Sequence, residues 1–182
     1  MKIGFLEDLY LEQLQVLLDS KGQLISVLPR MLEDCTSQDL REALEEHLET
    51  AQEQAGRLER ILAGTSKISS VARQKCIGME GLIREARRIG KNMSPGLRDA
   101  AIIAAIQRIV HYEIAAYGTV RTYATLLNDA QCATLLEQTL EEEKDADRDL
   151  TEIAEQVNGD SPSLADLPRI GTAEGLEVKR VA

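Results

Sequence analysis

LRDAAIIAAIQRIVHYEIAAYGTV, residues 97–120, decides the fold. Ile102, Ile106, Ile109, Val110, Glu113, Tyr117, Val120, Ala124 and Leu127 recur at threes and fours, the spacing of one helical face. Ser94 and Pro95 stand just before the stretch as cap and first-turn residue, and Asn128-Asp129 closes it. The spacing predicts a helix over 96–127, with one carboxylate, Glu113, in phase with its apolar residues.

Three more long helices follow from the same rule. Upstream, Ile3, Leu6, Tyr10, Leu14, Leu17, Leu24 and Leu28 form a stripe over 3–33 that passes through Lys21. Pro29 is expected to kink or end it. Thr36 with Asp39 resembles a capping box for a helix over 37–62, faced by Leu40, Leu44, His47, Ala51, Gln54 and Leu58 and stopped by Gly64 in a left-handed conformation. Downstream, Leu136, Leu140, Glu143, Asp147, Leu150, Ala154 and Val157 mark a helix over 130–157, capped by Asp129. Between the second and third lies a long connection with a short helix over 79–90. No strand pattern occurs. The expected architecture is all-α: a ferritin-like four-helix bundle over residues 1–158 with a long crossover containing a short helix, then a flexible tail over 159–182.

Composition narrows the function. Twenty-one basic residues against 31 acidic ones give a net charge of −10, against a nucleic-acid binder or a polybasic membrane anchor. Aromatic residues are only 3%. The longest apolar run, Ala100–Ile106, is far short of the roughly 20 residues of a membrane span. Glu7 and Asp8 precede any apolar stretch, so no signal peptide is expected. Cys35, Cys76 and Cys132 are widely spaced and odd in number, which suits reduced thiols in cytoplasm.

A bundle of this topology can hold two metal ions through inward carboxylates, usually with Glu-x-x-His pairs. Neither His47 nor His111 has a glutamate three residues before it. Glu113, Glu143 and Asp147 fall on core stripes, and buried carboxylates must be paired, hydrogen-bonded or metal-bound. An ionic network satisfies them as well as a metal does. Candidate metal ligands are therefore Glu113, Glu143 and Asp147, with His47 at the core edge and Glu12 as a helper. Nothing supports a nucleophilic triad, a phosphate-binding loop or a zinc ribbon.

The motifs LEDLYLEQL (6–14), QLISVLPRM (23–31), EHLET (46–50), KCIGMEGLIREA (75–86), residues 97–120 and TLEEEKDADRDL (139–150) together resemble the YciE/YciF family of bacterial ferritin-like proteins. The resemblance spans residues 3–157. It implies a dimeric bundle linked to bacterial stress responses, with rubrerythrin-like metal ligands in some members. The departures are specific. Lys21, Thr50 and Val110 stand where the family pattern carries glutamates, while Glu113 and Glu143 match it. The expected function is thus a non-catalytic, cytoplasmic stress-linked homodimer with a degenerate di-metal carboxylate site, no cofactor, and Lys21 as the ion-pair replacement for metal. The alternative is a di-iron or di-manganese redox or iron-handling protein. A further protein partner, bound through the acidic surface, is a third expectation. The small residues Ala100, Ala101, Ala104, Ala105, Ala115 and Ala116 lie off the main stripe and permit close helix approach in a dimer.

Overall fold

The computed structural model of the chain describes residues 4–65, 74–89 and 93–159. Five helices build it: α1 Leu6–Asp34, α2 Gln38–Ala63, α3 Ile77–Ala86, α4 Pro95–Leu126 and α5 Ala130–Gly159. Among the described residues there is no strand, and no helix is long and apolar enough to cross a membrane. Of the tail expected over 159–182, Gly159 is the last residue of α5, and residues 160–182 lie outside the described residues.

α1 pairs with α2 and α4, and α5 with α4 and α2. Ser20 and Lys21 meet Glu113 while Thr36 meets Asp99, so α1 and α4 run antiparallel. Gln54 meets Glu142 and Arg57 meets Thr139, so α2 and α5 do too. α2 therefore ends at the opposite end of the bundle from where α4 begins, and the connection must travel its full length. α3 sits on this crossover, against α1 and α4. This is the one-crossover bundle expected from the sequence.

Several local expectations are corrected. Pro29 does not end α1, which runs through it to Asp34. It is exposed, while its neighbours Leu28 and Met31 stay buried. Thr36 does not cap α2; Ser37 does, its Oγ accepting from the Leu40 N–H at 3.3 Å. Thr36 is instead held by Asp99, a buried α4 carboxylate that accepts from Thr36 N (2.8 Å), Thr36 Oγ1 (2.5 Å) and Ser37 N (2.8 Å). Gly64 ends α2 at φ −71°, in the right-handed region. Ser94 makes no side-chain capping bond, leaving Pro95 to start α4. Asp129 caps α5 as expected, accepting from Cys132 N–H at 3.0 Å, after Asn128 turns the chain at φ 60°. α3 begins two residues earlier than expected, with Cys76 at its cap. There Gly78 lies under the Tyr112 ring: a Cβ would come within 2.9 Å of Cε2.

The core divides in two. One apolar cluster holds Leu24, Leu28, Leu44, Ala51, Ile106, Val110 and Leu150. The other holds Leu14, Leu17, Leu58, Tyr117, Val120, Leu136 and Leu140. Between them, midway along the bundle, runs a layer of buried polar side chains: Ser20, Lys21, His47, Gln54, Glu113 and Glu143.

Candidate functional site: a buried lysine between two glutamates

Each member of this layer is placed by helical phase. Lys21 lies between Leu17 and Leu24 on the inward stripe of α1, Glu113 between Val110 and Tyr117 on α4, and Glu143 between Leu140 and Leu150 on α5. All three side chains are fully buried. Lys21 Nζ donates to Glu113 Oε2 at 2.7 Å and to Glu143 Oε1 at 2.5 Å. Ser20 Oγ donates to Glu113 Oε1 at 3.1 Å. The Tyr117 ring lies beside the ammonium, its centroid 5.6 Å from Nζ, within cation–π range.

Burial and charge shape the protonation. Burial pushes the Glu113 carboxyl up to about 7; Lys21 pulls it down and Glu143 adds to the rise. Burial works to lower the Lys21 ammonium, yet the attraction of Glu113 and Glu143 outweighs it and holds the group above the ordinary lysine range. Near neutrality the site therefore holds the Lys21 ammonium against a Glu113 carboxyl in the course of titrating. His47, buried on α2, is lowered to about 4 by burial, with Glu143 opposing and Lys21 reinforcing. Its Nε2, the Tyr117 hydroxyl and Glu143 Oε2 have no hydrogen-bond partner among the described residues.

Not every expected site residue joins this layer. Asp147 lies one turn beyond Glu143, but four residues advance the helix by 400°, about 40° past a full turn. That rotation brings it to the bundle's flank, where it accepts from Gln107 and pairs with His111 at 3.2 Å. Glu12 is nine residues before Lys21, about 13 Å along α1 at the helical rise, and is too far to help. Val110 is buried among apolar residues, and Thr50 lines a cavity of about 170 Å³ between α2 and α5 together with His47. Sequence reasoning missed Ser20, which precedes Lys21 and carries no pattern of its own. It also missed Arg57, whose guanidinium forks onto Glu142 at 2.5 and 2.7 Å and joins α2 to α5.

These residues do not fit a di-metal centre. The point from which a metal ion would bridge Glu113 and Glu143 is where the Lys21 ammonium sits, and two cations repel. Thr50 and Val110 supply no carboxylate, and Asp147 faces elsewhere. Among the described residues no group of three or more His, Cys, Asp and Glu side chains is arranged to hold a metal ion.

Comparison with known proteins places this bundle. Residues 5–161 match the family described as "Domain of unknown function (DUF892)". Protein YciF of Escherichia coli (strain K12) is 37% identical over 155 residues, which cover 85% of this chain and 93% of that protein. The crystal structure of the E. coli stress protein YciF superposes with a TM-score of 0.82 at 36% identity, covering 88% of this chain and all of that one. YcfI from Rhodopseudomonas palustris gives a TM-score of 0.76 at 35% identity, over 82% and 95% of the respective chains. With a family match across most of its length and a relative of this identity, the chain belongs to the DUF892 family, together with YciF.

Proposed function

We propose that this protein is a non-catalytic helical bundle of bacterial stress physiology, in which an internal lysine replaces the metal ions of a carboxylate centre. One observation carries the reading: Lys21 Nζ lies 2.7 and 2.5 Å from the two glutamates that a bridging metal would need. A buried ammonium with three donors balances the carboxylates and hydrogen-bonds them at once. The stress link rests on the E. coli relative, which is described as a stress protein. Self-association belongs to the same proposal: a shallow groove between α3 and α4, lined by Leu82, Ile89, Ala101 and Ala104, offers small and apolar residues to a second copy. The three cysteines are free, which suits the cytoplasm. The test is metal analysis of protein purified without chelator and then exposed to Fe(II) or Mn(II). Content well below one ion per chain is expected; two ions per chain overturns the proposal.

The unpartnered His47 Nε2 and Glu143 Oε2 favour a second reading, an iron- or manganese-handling protein in which Lys21 swings aside. The same analysis decides between the two.

A further inference from the structure

Lys21, Glu113 and Glu143 come from three helices, and none of their side chains is accessible to solvent. The other lysines of the described residues that touch carboxylates do so in water: Lys75 is 64% exposed and Lys144 39%. There both ions stay hydrated and condensation has no advantage. At Lys21 an amine nitrogen is pressed against two carboxyl groups, and apolar clusters close the layer on either side.

We propose that Lys21 and Glu113 condense into an intramolecular amide, with Glu143 as the proton acceptor and Ser20 as the donor that steadies the carbonyl oxygen. The inference rests on the reading above, that Lys21 rather than metal lies between the carboxylates. Each role follows from a contact. Once Glu113 is protonated its attraction for the ammonium is gone, and Glu143 Oε1, at 2.5 Å, takes a proton from Lys21 and frees the nitrogen lone pair. The neutral Nζ, held 2.7 Å from Glu113 Oε2, attacks Cδ of the protonated Glu113 carboxyl. The Ser20 hydroxyl, bonded to Oε1, stabilises the negative charge that develops there.

The step balances without an oxidant or co-reactant. The Nζ–Cδ bond forms and the Cδ–OH bond breaks. The second nitrogen proton leaves with the hydroxyl as one water, and Glu143 ends protonated. An ammonium, a carboxylate and a carboxyl become an amide and a carboxyl, so no charge remains in the layer. Removing buried charge is the driving force, since isolated ions are costly in a dry core. The bond would join α1 to α4 and thereby staple the α1/α2 hairpin to the α4/α5 hairpin, which are otherwise linked through the crossover.

Mass spectrometry of the intact, denatured full chain tests this. The protein is expected one water lighter than its sequence. Tryptic digestion should then lack cleavage after Lys21 and yield a branched species joining residues 3–30 to 109–121. Lys21→Arg keeps the charge but cannot form the amide and should have the full sequence mass. Glu143→Gln should fold, as judged by circular dichroism, yet remain unlinked or link many-fold more slowly. Wild-type protein that is folded but has its full sequence mass overturns the inference, as does a link mapped to Glu143. Full mass without metal leaves the lysine-for-metal reading standing; stoichiometric metal uptake removes that reading itself.

Discussion

Replacing Lys21 by methionine keeps most of the side chain's volume and removes its charge, which isolates what the ammonium does. At an effective dielectric of about 20, contacts of 2.7 and 2.5 Å are each worth about 6–7 kcal/mol of attraction. Desolvating three ions costs several kcal/mol apiece, so the wild-type cluster is close to break-even. Without Lys21 that attraction disappears while both carboxyls remain in the core. They relieve their repulsion by staying protonated. Glu113 is already raised to about 7, and without the ammonium at least one further proton must be held by the buried pair at neutral pH. Holding a carboxyl of ordinary pKa ~4.3 protonated at pH 7 costs about 3–4 kcal/mol, at ~1.36 kcal/mol per pH unit. Lys21→Met should therefore lose at least about 3 kcal/mol in urea unfolding at pH 7, and only about 1 kcal/mol of that carboxyl cost should remain at pH 5. The sign follows from proton counts: the folded variant binds more protons than the unfolded chain, so its stability falls as pH rises. Adding Glu113→Gln and Glu143→Gln should recover part of the loss at pH 7, because no ion is then left buried. A loss below about 1 kcal/mol at pH 7, or one that does not shrink in acid, would mean that the ammonium does not balance the buried carboxyls.

While Lys21 and Glu113 are unlinked, the site also sets the pH response of the wild-type protein. The Glu113 pKa is raised to about 7, so its contribution is full below the unfolded value and is lost as pH rises through 7. His47 is lowered to about 4, so its contribution is present above its unfolded value of about 6.5 and is lost as pH falls toward 4. The two slopes oppose each other, and thermal unfolding should show stability nearly flat from pH 5 to 7. His47→Gln should then become more stable in mild acid and Glu113→Gln less so; parallel pH profiles for both would contradict this. Asp99→Ala removes three hydrogen bonds from the α1–α2 turn. It should cost about 2–4 kcal/mol by denaturant titration, far more than Asp39→Ala on the exposed start of α2. Gly78→Ala drives a methyl to 2.9 Å from the Tyr112 ring and should cost about 1–3 kcal/mol, relieved by Tyr112→Leu in a double-mutant cycle.

What the sequence disclosed was what periodicity encodes. The inward positions of Lys21, His47, Glu113 and Glu143 follow from their phase among leucines and isoleucines, and the direction of the crossover follows from a connection too long for a hairpin. Phase is blunt at the edge of a stripe, however. Asp147 sits about 40° past Glu143 around the helix, enough to exchange the core for His111. Asp99 was invisible because its partners, Thr36 and Ser37, belong to a turn more than sixty residues away. With Asp99 holding Thr36, the cap passed to its neighbour Ser37. Ser20 likewise has meaning only once α4 brings Glu113 to it.

A crystal structure of the protein soaked in Mn(II) or Fe(II), with anomalous maps recorded at the metal's absorption edge, shows at once where Lys21 lies and whether a metal ion displaces it. Lys21 Nζ is expected between Glu113 and Glu143, as an ion pair or condensed with Glu113, with no anomalous peak between the two carboxyl groups. A peak bridging Glu113 and Glu143, with the lysine displaced, would contradict this.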